Sequence, residues 1–363
     1  MNEMHLISVI IPAFNAENFI AKTIISVLSQ TYTNLDVIVV DDGSQDNTFQ
    51  VVNEFVRQDS RIKLCKQKNL GVAAARNYAI SQARGNFIAP IDADDIWYPE
   101  KLSKQLRCLD NSKDSVGLVY TWSIFIDEKG DFTGGANISN WEGNVFLPMA
   151  YRNFIGHASG PLIRKSCLEK VGNYNVNLKE LGAQGCEDRD LYLRIARHYE
   201  FRVIPEFLVG YRLTNNSMSC NDISMAKSHH LIWDDLLSKD INIDRKIYNY
   251  STSNFYIYLS QKNKIKHNSY KSLDWLIQSL KLDLAVLVRH EFYSIILANI
   301  RQLLLESVFN TLSFRNSSDY QMNSRNKKLT KKETIDSIHK TTELREYLPW
   351  KIIERYRLNS WSK

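Results

Sequence analysis

Four short runs of apolar, largely β-branched residues constrain this chain most. They are SVIIPAF (8–14), LDVIVVDD (35–42), RIKLC (61–65) and NFIAPI (86–91). Several are apolar at consecutive positions, so both faces of the strand must be covered. Between them lie helical patterns: Ile20, Ile24, Val27 and Leu28; then Phe49, Val52 and Phe55; then NLGVAAARNYAISQA, which a glycine turn opens. Asn15 and Asp46 stand where helix N-caps are expected. A strand recurring about every 25 residues with a helix between is the step of a βαβ unit. The fold class expected is therefore α/β, with a mostly parallel sheet flanked by helices. Ligands of such sheets bind beyond the carboxyl ends of the strands. Three polar clusters sit there: Phe14–Glu17, Asp41–Ser44 and Asp92–Asp95.

Farther along, GLVYTWSIFID (117–127) reads as another strand, GGANISNWEGNVFLPM (134–149) as loop, and FRVIPEFLVGYRL (201–213) as two short strands around Pro205. From about residue 222 the pattern turns helical, which divides the chain into 1–225 and 226–363. A composition of 44% hydrophobic and 24% charged residues is globular. Residues 221–363 hold 23 of the 46 basic but only 15 of the 40 acidic side chains, so the net +6 belongs to the C-terminal part. RNKKLTKK (325–332) is the densest basic run. That region is a candidate for peripheral contact with anionic lipid, or simply a solvated helical face. Its aromatics fall at core spacing, so no nucleic-acid partner is expected. The five cysteines are odd in number and lack CxxC spacing, which favours a reducing, cytoplasmic setting. No basic stretch precedes a long apolar core at the N-terminus, and no apolar window reaches 18 residues, so neither signal peptide nor membrane span is expected.

The chemistry concentrates in FIAPIDADDIWYPEKL (87–102). In extended chain Asp92 and Asp94 point to one side. Paired carboxylates suit Mg²⁺ or Mn²⁺, which commonly shares its site with substrate phosphates. Asp95 can equally cap the helix that Pro99 and Glu100 begin. No P-loop, GxGxxG or HExxH motif is present, so a nucleotide would be held through carboxylates and metal. In GCEDRDLYLRI (185–195), Gly182 and Gly185 precede a helix whose first turn carries Glu187 and Asp188. Acids there also stabilise a helix without any chemistry.

Three blocks in order, SVIIPAFNAENFIAKTIISVLSQTYTNLDVIVVDDGSQDNT, NLGVAAARNYAISQARGNFIAPIDADD and CEDRDLYLRI, resemble glycosyltransferase family 2, inverting enzymes of the GT-A fold. The resemblance spans roughly residues 5–220. It implies that Pro12, Ala13, Phe14, Asn15 and Glu17 line the nucleoside, that Asp42 hydrogen-bonds the base, and that Arg76 faces the nucleotide. It implies Asp92 near ribose and metal, Asp94 as metal ligand, and Asp188 as catalytic base with Glu187 beside it. Thr214 stands where the family often has a histidine, leaving Tyr211, Arg212 and Ser217 as helpers. No QxxRW motif is present, which implies one sugar per encounter and not polymer extrusion. Mn²⁺ or Mg²⁺ is the implied cofactor, a UDP-sugar the implied donor, and a glycan or lipid-linked hydroxyl in surface polysaccharide synthesis the implied acceptor. Trp97 is a candidate on the acceptor side. A metal-dependent nucleotidyltransferase and a non-catalytic nucleotide- or glycan-binding descendant are the alternatives. The first would carry a Gly-rich phosphate loop near the first strand, and the second would have lost the acidic motifs.

Overall fold

Three of the four apolar runs become strands buried along their length, and RIKLC becomes an edge strand buried at Ile62 and Cys65. In the computed structural model, which describes residues 5–214, 221–239 and 243–313, every residue of β1 (Ile7–Ala13) and β2 (Leu35–Asp41) is buried. The two pair in parallel, from Ile7 beside Leu35 to Ala13 beside Asp41. β3 (Ile62–Lys66) adds to β2 and β4 (Phe87–Pro90) to β1, both parallel. The crossovers are α1 (Ile20–Leu28), α2 (Thr48–Gln58) and α3 (Val72–Gln82). One face of β1, with Ile7, Val9 and Ile11, packs in a core with Ile20, Ile24 and Val27 of α1. Each such side chain contributes about 1.5–3 kcal/mol by leaving water. Ala73, Ala75 and Ala79 are buried on α3, and their small size lets that helix lie close on β1 and β2.

β5 (Ile96–Trp97), α4 (Lys101–Asp110), β6 (Val116–Ile126), β7 (Phe132–Asn137), α5 (Phe146–Tyr151), β8 (Leu162–Arg164), α6 (Lys165–Val171), α7 (Asn177–Glu180), α8 (Glu187–Ala196) and β9 (Glu200–Arg212) complete this part. The strand order is β3-β2-β1-β4-β8-β6-β9-β5, with β7 on β6. β8 runs antiparallel to both neighbours, whereas β9 lies parallel to β6. The chain builds outward from β1 to β3 and then returns to β4 on the other side of β1. That reversal opens a crevice at the carboxyl ends of β1 and β4.

Three local expectations change. Residues 200–212 form one strand, because the pairing with β6 slips between Thr121–Ile204 and Trp122–Phe207. Pro205 lies in that slip, where its missing N–H interrupts no ladder. The 134–149 stretch contains part of β7 and the start of α5. Asn15 does not cap α1, whose N-cap is Phe19. It takes φ 48° and accepts from Gln45 N–H at 2.9 Å.

A division between Ile232 and Trp233 separates a second compact unit. There α10 (Arg245–Ile265), α11 (Ser269–Leu282) and α12 (His290–Ser313) follow α9 (Asp222–Lys239). Ile257, Leu276, Val286, Phe292 and Ile295 form its apolar cluster. Buried serines let α10 and α11 approach closely: Ser253 donates to Ser279 O at 2.9 Å and Ser260 to Ser272 O at 2.6 Å. The basic run 325–332 and Ser217 lie outside the described residues.

Gly71 opens α3 at φ 91°, and a Cβ there would lie 2.7 Å from Lys179 Cδ. That lysine is held by Asn69 through its ammonium. Gly71→Ala is expected to destabilise the chain by about 1–3 kcal/mol, read as a lower urea midpoint with an unchanged m-value.

Candidate active site

The loops after β1 and β2 are laced together. Asn15 N–H donates to Ser44 Oγ at 3.0 Å, and Ala16 N–H to Thr48 Oγ1 at 2.7 Å. Glu17 Oε2 accepts from the backbone and side-chain amides of Asn47 at 2.9 and 2.8 Å. Asp46 accepts from Glu17 N–H and Thr48 N–H, so it braces this loop as well as the start of α2. Pro12 and Ala13 are buried in β1. Phe14, at 47% exposure, is the member of this segment that presents an open apolar face.

Asp42 has a structural task. It is buried, and it accepts from Gln67 Nε2 at 2.7 Å, Leu70 N–H at 2.8 Å and Gly71 N–H at 2.8 Å. It therefore fixes the start of α3. Asp41 holds its turn through Ser44 N–H at 2.9 Å, but its Oδ2 has no hydrogen-bond partner among the described residues. Of the pair, Asp41 is the one with an oxygen left over.

α3 delivers Arg76 to the end of β4. This arginine is 4% exposed, not a solvated helix residue. Its Nη2 lies 2.5 Å from Asp92 Oδ1, and its guanidinium lies over the Tyr174 ring at 5.0 Å. Asp92 N–H donates to Ser159 Oγ at 3.0 Å, and Ser159 O–H donates to Asp95 Oδ2. Arg212 N–H donates to Asp95 Oδ1 at 2.8 Å, and Arg212 Nε to Asp94 O at 2.6 Å. Thr23 Oγ1 lies 2.8 Å from the carbonyls of Ala93 and Asp95.

Asp95 is thus a buried pin rather than a helix cap, because the backbone turns its carboxyl inward. Burial and the neighbouring aspartates push its pKa well up. Arg212 likewise holds backbone carbonyls, including those of Asp127 and Glu128. Trp97 is 2% exposed. Its Nε1 donates to Ser159 O at 2.8 Å and its ring carries Lys101 Nζ at 4.0 Å. A ring enclosed in this way, with its one polar atom already bonded, has nothing left to offer an acceptor, so Trp97 is a core residue.

Asp94 keeps a half-buried carboxylate. Burial and the charge of Asp92 push its pKa up to about 6. A divalent cation would remove that penalty, and two hard carboxylates fit one. No group of three or more His, Cys, Asp or Glu among the described residues is arranged to hold a metal. Asp92 and Asp94 would therefore share the ion with ligand oxygens.

At α8, Glu187 folds back so that Oε2 accepts from Gly185 N–H at 2.9 Å. Burial raises its pKa. Asp190 pairs with Arg194 at 2.7 Å. Asp188 is half-buried, with Oδ1 accepting from Arg189 N–H at 2.7 Å and Asn153 Nδ2 at 3.4 Å from Oδ2. Burial lifts its pKa to about 6, while the positive charge of Arg76 opposes the rise and the charges of Glu187 and Asp92 add to it. Asp188, Arg76 and Asp92 therefore share one electrostatic neighbourhood, although 112 positions separate Arg76 from Asp188. Ser159 and Tyr174, which hold this neighbourhood together, carry no local sequence signal.

Raised carboxylate pKa values cost stability once the groups ionise. The cost is absent well below the ordinary aspartate pKa and grows as pH climbs from about 4 through 6. Asp94→Asn and Asp188→Asn are each expected to raise Tm at pH 7.5 in EDTA, by about 2–4 °C per kcal/mol relieved, and to leave Tm nearly unchanged at pH 4. Differential scanning fluorimetry across pH reads both.

Residues 8–171 match the profile of glycosyl transferase family 2. A glycosyltransferase of Methanocaldococcus jannaschii, MJ1057, is 30% identical over 226 residues, 61% of this chain and 76% of that one. The Escherichia coli UDP-Glc:alpha-D-GlcNAc-diphosphoundecaprenol beta-1,3-glucosyltransferase WfaP is 34% identical over 221 residues, 60% of this chain and 81% of that one. Chondroitin synthase of Escherichia coli is 28% identical over 232 residues, but these make up only 32% of its length. Among solved structures, S. aureus TarS 1-349 in complex with UDP-GlcNAc superposes with a TM-score of 0.53 at 16% identity, covering 74% of this chain and 89% of that one. The mannosyltransferase PcManGT from Pyrobaculum calidifontis, solved with GDP-Man and Mn²⁺, gives 0.51 at 17% identity, covering 99% and 87%. Both share the α/β architecture described above. With this fold, these acidic motifs and these relatives, the chain belongs to glycosyltransferase family 2.

Proposed function

We propose that this chain is an inverting, metal-dependent glycosyltransferase. It moves one sugar from a UDP-sugar to a hydroxyl of a glycan or lipid-linked acceptor, in bacterial surface polysaccharide synthesis at the cytoplasmic side of the membrane. The observation that carries the reading is the single charge neighbourhood of Asp92, Arg76 and Asp188. It sets a candidate base beside a candidate diphosphate corner. The name of WfaP, with a UDP-linked donor and a diphosphoundecaprenol-linked acceptor, supports the donor and acceptor classes.

Asp188 acts as general base, taking the acceptor proton as the hydroxyl oxygen bonds to the anomeric carbon. The bond from that carbon to the diphosphate breaks, and its electron pair stays on the leaving oxygen. Attack from the opposite face inverts the centre, so a UDP-α-sugar gives a β-linkage. Asp94 and Asp92 would hold the divalent cation, which when bound would neutralise charge on the leaving diphosphate. Arg76 opposes protonation of Asp188, so the carboxylate is ionised at neutral pH. Phe14 and the unpaired Asp41 oxygen stand on the nucleoside side, with Pro12, Ala13, Asn15, Glu17 and Asp42 framing them. The nucleotidyltransferase alternative lacks its phosphate loop, and a non-catalytic descendant has no reason to keep Asp188 poised.

A panel of UDP- and GDP-sugars with Mn²⁺ or Mg²⁺, read by nucleoside diphosphate release, tests this. Asp188→Asn is expected to lower kcat by about 10²–10⁴-fold, and Asp94→Ala to abolish the metal response. Wild-type kcat/KM rises with pH and levels off above about 6, because the base must be ionised. Full transfer by Asp188→Asn, or release of GDP alone, would refute the assignment.

Membrane contact belongs to the same proposal. α12 leaves Tyr293, Leu297, Ile300 and Leu304 exposed along one side, an apolar stripe suited to an interface. No helix among the described residues is long and apolar enough to span. The triple change Leu297→Asp, Ile300→Asp and Leu304→Asp is expected to end co-pelleting with anionic vesicles. Unchanged pelleting would remove this surface from the reading.

A further inference from the structure

The loop between α5 and β8 holds an imidazole that the chemistry above does not use. His157 stands two residues before Ser159, which links Asp92 to Asp95. Its ring stacks on Tyr211, with centroids 4.8 Å apart and planes 19° from parallel. Its carbonyl accepts from Tyr192 Oη at 3.2 Å. The residue is 5% exposed, yet neither ring nitrogen has a hydrogen-bond partner among the described residues. The ring lies near enough to Asp92 to feel its charge.

A buried polar group left unpaired costs about 1–3 kcal/mol. A position that needed only a stacked ring would be served by phenylalanine without that penalty. Burial holds the imidazole neutral near pH 7, so one nitrogen donates and the other accepts. A sugar hydroxyl both donates and accepts, whereas a diphosphate oxygen only accepts. We propose that His157 is a donor-recognition residue, its ring nitrogens hydrogen-bonding a hydroxyl of the donor's sugar beside Asp92. The proposal rests on reading this site as a nucleotide-sugar site.

His157→Phe keeps the stack and removes both nitrogens; His157→Asn restores one donor and one acceptor. Calorimetry on the full chain with Mn²⁺ compares UDP with UDP-glucose, UDP-galactose and UDP-N-acetylglucosamine, alongside Tm. His157→Phe is expected to weaken the wild type's preferred UDP-sugar by about 5–30-fold, leave UDP within twofold, and hold or raise Tm. The Asn variant should recover part of the loss, and donor KM should move more than kcat. Undiminished UDP-sugar binding by the Phe variant overturns the proposal, and equal weakening of UDP overturns the sugar assignment. Should the Phe variant lose UDP through misfolding, the Asn variant decides: wild-type stability with no change in donor KM overturns the role. A wild type that binds no nucleotide at all overturns the function proposed for the site, and this inference falls with it.

Discussion

Three aspartates in four positions, closing a buried strand, are the constraint that the first unit must satisfy. Two carboxylates 4 Å apart near a protein surface repel by about 4 kcal/mol, so the turn after β4 holds only if its charges are separated or matched. The chain does both. Arg76 meets Asp92 from α3, and Arg212 closes over the turn's backbone from the end of β9. Asp95 is drawn inward, where Ser159 and the Arg212 amide satisfy it and its raised pKa favours the uncharged form. Asp94 is left half-open with the penalty unrelieved. The roles within DADD thus follow from which partner each carboxylate finds, not from the order of the letters.

Arg76 connects this turn to α8. Its position depends on α3, whose start is fixed by the three donors that Asp42 accepts and by the left-handed Gly71. A buried guanidinium must be matched, and Asp92 is its hydrogen-bonded partner. Asp188 feels the same positive charge without a direct bond. It is therefore kept below the pKa that burial alone would give it, yet stays basic enough to accept a proton near neutrality.

β1, β2 and β4 were legible because burial on both faces writes an unbroken apolar run into the sequence, as in Val37–Val40. The acidic clusters were legible because strand ends gather at one rim. Other features were not. Pro205 argued for two strands, since the bulge that accommodates it is set by the partner β6 and leaves no mark of its own. Asp41 and Asp42 are chemically identical in a list of letters, and only the path of the α3 loop decides which is consumed. Trp97 looked like an acceptor-side residue because an aromatic beside an acidic turn has two readings, and its enclosure by Lys101 and Ser159 depends on contacts made across the fold. His157 and Ser159 lie more than 60 positions from Asp92 and Asp95, so no local pattern pointed to them.

Trp97 still bears on the site, at one remove. Its indole N–H fixes the Ser159 carbonyl, and the Ser159 hydroxyl joins Asp92 to Asp95. Beneath it, burial drives the Lys101 pKa well down, and the amine is held by Gln105, whose amide also ties the Val119 and Gly160 carbonyls. Gly160 follows Ser159 directly. The layer under the acidic turn is therefore a hydrogen-bonded floor instead of an apolar one. Apolar packing alone would tolerate small slides of the 157–160 segment, since it has no direction. Directional bonds at Ser159 and Gly160 do not, and a sub-ångström shift there would move Asp92, Asp95 and the ring of His157 together. Buried polar groups that cost stability are in this way what holds the carboxylates in register.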